Sequence, residues 1–377
     1  MLLAQNLWEH HVFSFGFQYV WGLPDPVPTG NLVATAARAP LYPLMLAPFM
    51  SLAHGLLIVR VIQAVLGAIT VAWVFVLAKR YFSHRVAVLA ALMMTFGPMT
   101  VYSTILVLSE VLFMFLLTGS MLAWSHKRPI VAGLLLGLAT LARAVTLPYS
   151  IVLAIIGIVW SKMRREYLQV ALVSLLVVAP WTVRNYVTQH HFIPVNTLGW
   201  GSNLYFGTIY VPYNNTNMWL VYGSVKMEKD LYSNAKTDIE AEQIYRDEAI
   251  RRIKQNPVGW VIDRIMQYPR LFAVSPQWLT EKLFHRMSTL PEKVVYFAGA
   301  VLFYLLGFVG MWLSRSTWRD IWFMSLYALY IFAAQFPMMT EERYALITVP
   351  VMAIFAGHTL VRIADAVRAR RQVAKVA

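Results

Sequence analysis

The 377-residue chain contains no cysteine, which excludes disulfides, thiolate metal sites and a cysteine nucleophile and leaves the compartment open. It is also poor in charge: 13% of residues are charged, 59% are apolar, and the mean hydropathy is +0.56. A soluble domain of this size needs a more charged surface, so the composition reads as an all-α polytopic membrane protein. Acids are the scarcest charged class, 18 Asp and Glu against 32 Lys and Arg, for a net charge of +14. That balance suggests nucleic acid at first sight. Its excess, however, sits mainly in short loops and the tail, where basic residues set topology and meet anionic headgroups; no nucleic-acid partner is expected. Solenoid repeats and low-complexity tracts are lacking. So is a cleavable signal, because Met1 to Phe17 carries Gln5, Asn6, Glu9, His10 and His11 with no charged leader before an apolar core.

What is present is a series of apolar runs. Spanning helices are expected at about 58–78, 86–105, 107–124, 130–146, 148–161, 167–183, 294–313, 320–338 and 344–363. Several are short, and 130–146 with 148–161 reads as a pair broken at Pro148 or tilted. The loops Lys79-Arg80 to Arg85, Lys127-Arg128, Lys162 to Arg165 and Arg315 to Arg319, with the tail Arg362 to Lys375, are basic and read as cytoplasmic.

Parity then divides the chain into an outer-face stretch 1–57 with interfacial helices, spans within 58–183, an outer segment 184–291, spans within 292–363 and a basic tail 364–377. The outer segment is rich in Gly, Asn and aromatics at first. It then becomes charged and helical over Lys226 to Gln255, breaks at Asn256-Pro257, and continues as a more apolar helix from Val258. Residues 1–57 are thereby placed outside with no segment to carry them there, so a preceding helix of roughly 20 apolar residues is expected.

Few residues in this setting can carry chemistry. Arg143 lies in the apolar run Gly133 to Leu147, where a cation either faces a wet cavity or an anionic ligand, or snorkels to the interface. Gly133 and Gly137 read as a close-packing pair. Arg60 and Gln63 lie one turn apart, suited to fork a phosphate or to anchor the helix at the interface. Arg38, Pro40, Tyr42 and Pro43 make a rigid turn that either enters the membrane or walls an outer site.

Ser109 reads as a helix cap with Glu110 complementing the dipole, although Glu110 is also one of very few acids at membrane level, able to act as a base or hold a cation. Thr340-Glu341-Glu342-Arg343-Tyr344 adds two carboxylates and a cation, or is ordinary loop charge. Pro180-Trp181 through Arg184-Asn185 closes a helix among common belt residues. The doublets His10-His11 and His190-His191 lack metal-site spacing, and Asn214-Asn215-Thr216 is a sequon of weight only in a eukaryotic chain.

Taken in order, Ala4-Gln5-Asn6-Leu7 with Gly16-Phe17, Arg38-Ala-Pro-Leu-Tyr-Pro43, Arg60 with Gln63, Ser109-Glu110 and Gly137-Leu-Ala-Thr-Leu-Ala-Arg143 form an ordered set. It continues with Pro180-Trp181 to Arg184-Asn185, Gly201-Ser-Asn-Leu-Tyr-Phe-Gly207, Asn256-Pro257 and Glu342-Arg343-Tyr344. This set resembles the GT-C glycosyltransferases of the protein-mannosyltransferase and aminoarabinose-transferase type. The resemblance covers nearly the whole chain and implies a GT-C-like helical bundle. It also implies transfer, with inversion, of a sugar from a polyprenyl-phosphate donor to a lipid, glycan or protein acceptor at the outer membrane face, here the periplasmic side of a bacterial inner membrane.

On that reading Glu110 takes the carboxylate side, while Arg60, Arg143 and Arg343 bind the donor phosphate. Arg38, Tyr42, Gln63, Arg184, Asn185 and Glu342 line the site, and Trp200 to Trp219 form a sugar or acceptor platform. A divalent cation is compatible with the family's chemistry; no other cofactor is implied. Family members carry an acid just before the Ala-x-Asn-Leu element, which begins here at Ala4, so the principal acid is expected upstream of Met1; Asp25 is too far along to replace it. Two other classes compete, a transporter or lipid flippase and a non-catalytic relative. The first usually shows inverted repeats and broken helices in matching halves, of which no clear instance is legible.

Overall fold

A computed structural model describes residues 1–15, 17–18, 27–28, 32–160, 164–197, 199–210, 235, 237–272 and 289–376. Apart from two paired two-residue strands, Phe17–Gln18 and Val27–Pro28, the regular structure is helical. The helices are α1 Leu2–His10, α2 Leu41–Leu46, α3 Gly55–Tyr81, α4 His84–Phe96, α5 Pro98–Ile105, α6 Glu110–Ser125, α7 Pro129–Ala142 and α8 Thr146–Trp160. They continue with α9 Arg164–Gln189, α10 Gly201–Phe206, α11 Asp238–Gln255, α12 Pro257–Gln267, α13 Leu290–Leu313, α14 Trp318–Gln335, α15 Glu342–Leu346 and α16 Val349–Val376. Each expected span overlaps a helix or, for 86–105 and 344–363, a pair of them: α4 and α5, bent by 50°, and α15 and α16.

Local chemistry sets these boundaries. Ser83 accepts from Val86 N–H at the start of α4, Asn256 from Gly259 N–H at the start of α12, and Thr289 with Glu292 closes a capping box on α13. Two of the histidines in the doublets, His11 and His190, are left-handed residues that end α1 and α9, a conformation that histidine tolerates better than most. The expected break at Pro148 lies earlier, at residues 143–145. Pro148 sits in the first turn of α8, where a missing N–H costs nothing.

The bundle has two packed groups. Helices α6, α7, α8 and α9 form one and α3, α4, α13 and α16 the other; α3 packs on α6 to join them, and α14 touches both. Gly133 and Gly137 let α7 and α9 approach: a Cβ at Gly137 would lie 2.6 Å from Val177 Cβ and 2.8 Å from Ser174 O, so the close-packing reading holds. Tyr149 pairs with the Phe323 carbonyl at 2.9 Å and Ser150 with Ser174 at 3.3 Å inside the bundle, as an apolar environment favours.

The helix ends sort by chemistry. At one end Arg85 bonds Asp365 at 2.7 Å, and Trp124, Tyr167 and Trp322 stack together with ring centroids 4.3 and 5.1 Å apart. All are next to the basic loops or the tail. At the other end α10, α11 and α12 form a cap with its own small core of Leu204, Tyr205, Phe206, Ala241, Tyr245 and Ala249, joined by Met339 from the α14–α15 loop. Thr35 Oγ1 donates to Asp238 Oδ2 at 2.9 Å, fastening the cap to the segment before α2.

Candidate active site

Arg143 ends α7 in an extended conformation, φ −151° and ψ 120°. Its guanidinium meets the start of α6, with Nη1 2.7 Å from Glu110 Oε1 and 3.4 Å from Ser109 Oγ. The arginine that has no acid near it in sequence therefore has one in space. Ser109, expected as a side-chain cap, makes no capping bond and accepts from Arg143 instead. The Glu110 side chain is 2% exposed, and its Oε2 has no hydrogen-bond partner. A carboxylate oxygen buried with open lone pairs is costly, and such atoms mark places where a ligand completes the set.

A second pair stands close by. Arg343 Nε lies 2.7 Å from Glu341 Oε2 and its guanidinium 5.4 Å from the Tyr344 ring centroid. Burial raises the Glu341 carboxyl above its ordinary range, partly offset by Arg343; Glu110 and Arg143 also act on it. For Arg343 burial opposes the charge, but Tyr344, Glu341 and Glu110 outweigh it and hold the guanidinium above its ordinary value. Two carboxylates and two guanidiniums thus share one field. Their charges cancel.

Tyr42 closes this region from α2. Burial and then the Glu110 charge push its phenol up, and its hydroxyl donates to Gln63 Oε1 at 2.5 Å. Gln63, 0% exposed, turns its amide nitrogen to the carbonyls of Ser103, Thr104 and Leu106 at 3.4, 3.2 and 2.6 Å. Arg60 is exposed and donates Nε to Ile105 O at 3.0 Å. Arg60 and Gln63 thus make separate contacts, Gln63 with Tyr42 and carbonyls at the link between α5 and α6, and Arg60 with the last carbonyl of α5.

Other expected residues have contacts of their own. Arg184 donates to Thr35 O at 2.7 Å and stacks 4.6 Å from the Trp181 ring centroid; burial lowers its basicity. Asn185 holds the carbonyls of Ile193 and Val195, both at 3.0 Å. These contacts fasten the chain after α9, which is a structural task. Arg38 is half-buried beside buried Ala36 and Ala37. Glu342 begins α15, and its side chain lies outside the described residues, as do Asp25, the sequon at Asn214 and residues 211–219 of the aromatic platform.

Sequence reasoning missed Arg264, which binds cap to bundle, and Glu242, which ties α11 to the start of α10 within the cap. Arg264 donates to Phe336 O, Gly207 O and Thr340 Oγ1. Glu242 accepts from Gly199, Gly201 and Ser202 N–H at 3.2, 2.7 and 3.2 Å, with burial raising its carboxyl. The available signal was the charged doublet Asp263-Arg264 in the otherwise apolar stretch Val258 to Met266.

An apolar cavity of about 730 Å³ opens between the α4–α5 bend and α13, lined by Phe96, Pro98, Leu271, Phe303, Leu346 and Val349 among others. Leu346 is three residues from Arg343, so the greasy space ends near the charged cluster. As for a divalent cation, Glu110 Oε1 and Glu341 Oε2 each already hold an arginine. Among the described residues no group of three or more His, Asp and Glu is placed to hold a metal.

The fold, a polytopic helical bundle with a cap at one end, is similar to that of solved GT-C membrane transferases. Residues 37–183 match the family model described as dolichyl-phosphate-mannose-protein mannosyltransferase. The apo oligosaccharyltransferase of Archaeoglobus fulgidus is similar in fold at 14% identity and a TM-score of 0.53, over 100% of this chain and 47% of that one. The same enzyme tethered to an acceptor peptide gives 15% identity and 0.53, over 99% and 46%. ArnT from Cupriavidus metallidurans bound to undecaprenyl phosphate gives 12% and 0.39, over 99% and 74%. The chain thus spans about half the length of the archaeal enzyme. That enzyme has also been solved with zinc and sulfate. No curated protein matches in sequence.

Proposed function

We propose that this protein is a membrane glycosyltransferase that moves a sugar from a polyprenyl-phosphate donor to a lipid, glycan or protein acceptor at the capped face, the periplasmic side of a bacterial inner membrane. The observation that carries the reading is Glu110: a carboxylate at membrane level, held by Arg143 through one oxygen and bare on the other. The bare oxygen is suited to receive the proton of the acceptor nucleophile as the nucleophile attacks the anomeric carbon. The bond from that carbon to the phosphate oxygen breaks, and polyprenyl phosphate departs with the electron pair. Its growing negative charge falls to Arg143 and Arg343, fixed donors in a water-poor site. The apolar cavity beside α15 takes part of the isoprenoid chain. The match of residues 37–183 to a mannosyltransferase model supports the same chemistry.

Purified protein in proteoliposomes, given a radiolabelled polyprenyl-phosphate sugar, tests the reading. Label arriving on an acceptor in the wild type, and lost in Glu110→Gln, is the expected result. Movement of the intact lipid-linked sugar across the bilayer without transfer would replace this reading with a flippase.

A further inference from the structure

The loop that carries the second ion pair is held mainly by the cap. Arg264, on the inward side of α12 and 1% exposed, donates to Phe336 O at 2.9 Å, to Gly207 O at 3.3 Å and to Thr340 Oγ1. Met339 N–H donates to Asn203 O at 2.8 Å, and its side chain sits in the cap core. Gly207 lies so close that a Cβ there would come within 2.2 Å of Pro337 O. Just below, Tyr268 donates to Phe332 O at 2.6 Å. Residues 336–340 are therefore seated on the cap up to the residue before Glu341, and only then does the chain turn into α15 with Arg343. The opposite side of α12 shows the reverse pattern, with Val258, Ile262, Ile265 and Met266 exposed. A fully buried arginine under an apolar outer face is expensive to place, and three acceptors on two separate segments are what compensates it.

We propose that Arg264 and Thr340 form a latch that positions Glu341 and Arg343 for the donor phosphate, so that the seating of the cap sets donor affinity. The inference rests on the donor reading above. Arg264 touches neither ion pair; it acts through the loop. Arginine suits the task because its planar fork reaches a hydroxyl and carbonyls at once, which a lysine ammonium does not.

The test uses the full chain in nanodiscs with undecaprenyl phosphate as the probe. Thr340→Val keeps the shape and removes the acceptor, Thr340→Ser restores it, and Arg264→Gln removes the fork. Amide exchange over 341–346 reports the latch itself, and undecaprenyl phosphate affinity reports its consequence. Expected are faster exchange in Thr340→Val and Arg264→Gln, with affinity weaker by about fivefold, the ratio given by one hydrogen bond of ordinary strength. Thr340→Ser stays at wild-type values in both, a rescue that a merely destabilised protein would not give. Unchanged exchange in Thr340→Val overturns the latch. Faster exchange with unchanged affinity overturns its positioning role and leaves the donor reading standing, whereas a wild type that binds no undecaprenyl phosphate overturns both.

Discussion

Arg143 Nη1 stands 2.7 Å from Glu110 Oε1, on a carboxylate that is 2% exposed and whose other oxygen is unpartnered. This pair joins two helices and the proposed chemistry, and its two duties are separable. Arg143→Ala leaves a buried charge unpaired, a loss of about 3–5 kcal/mol, and also removes a cation from the leaving phosphate. Transfer should drop by roughly a hundredfold or more. The double variant Arg143→Met with Glu110→Gln should regain most of the stability and none of the transfer. Arg143→Lys should recover part of each, lacking the fork. Thermal unfolding beside the transfer assay checks this; full turnover in Arg143→Ala would place the donor site elsewhere.

Gln63 should matter for stability far more than for chemistry. Gln63→Leu strands the Tyr42 hydroxyl and the carbonyls at the α5–α6 link, at about 1–3 kcal/mol for each buried group left unpaired. Tyr42→Phe removes one partner only and should cost about 1 kcal/mol. A melting series that ranks the two the other way would contradict the bonding described.

Burial raises the carboxyl of Asp238 above its ordinary 3.8, and the Thr35 hydroxyl offsets only part of that. The folded cap therefore holds this proton more tightly than the unfolded chain does. The contribution to stability is present below pH 3.8 and is lost as pH rises through the raised value. Asp238→Asn keeps an oxygen acceptor for Thr35 and cannot ionise, so it should flatten that part of the slope. Amide exchange in α11 across the acidic range reads the difference, and identical slopes in both proteins would refute it.

Orientation is open to direct chemistry because the chain has no cysteine. Lys254→Cys, exposed on the cap, should react with an impermeant maleimide in intact spheroplasts. Lys127→Cys and Arg315→Cys, exposed at the basic end, should react only after permeabilisation. Labelling in the reverse order would invert the proposed topology and remove the donor site from the outer face.

Much of this architecture is local and so was open to reading from sequence. Apolar length sets where helices run, basic loops sort their ends, and proline, serine, threonine and asparagine mark their starts; all of these are properties of neighbouring residues. Lone Arg143 and lone Glu110 were noticeable for the same reason, since a charge in an apolar run is conspicuous by itself. Their union was not readable, because α6 and α7 lie beside one another only through packing, and the Coulomb energy of a pair depends on distance in space and not along the chain. Likewise a one-turn spacing made Arg60 and Gln63 look like partners, until tertiary contacts gave Gln63 to Tyr42 and three carbonyls. Arg264 shows the limit most clearly: its chain neighbour Asp263 suggests a local partner, yet the acceptors it uses arrive from residues 207, 336 and 340 only once the bundle and cap have closed together.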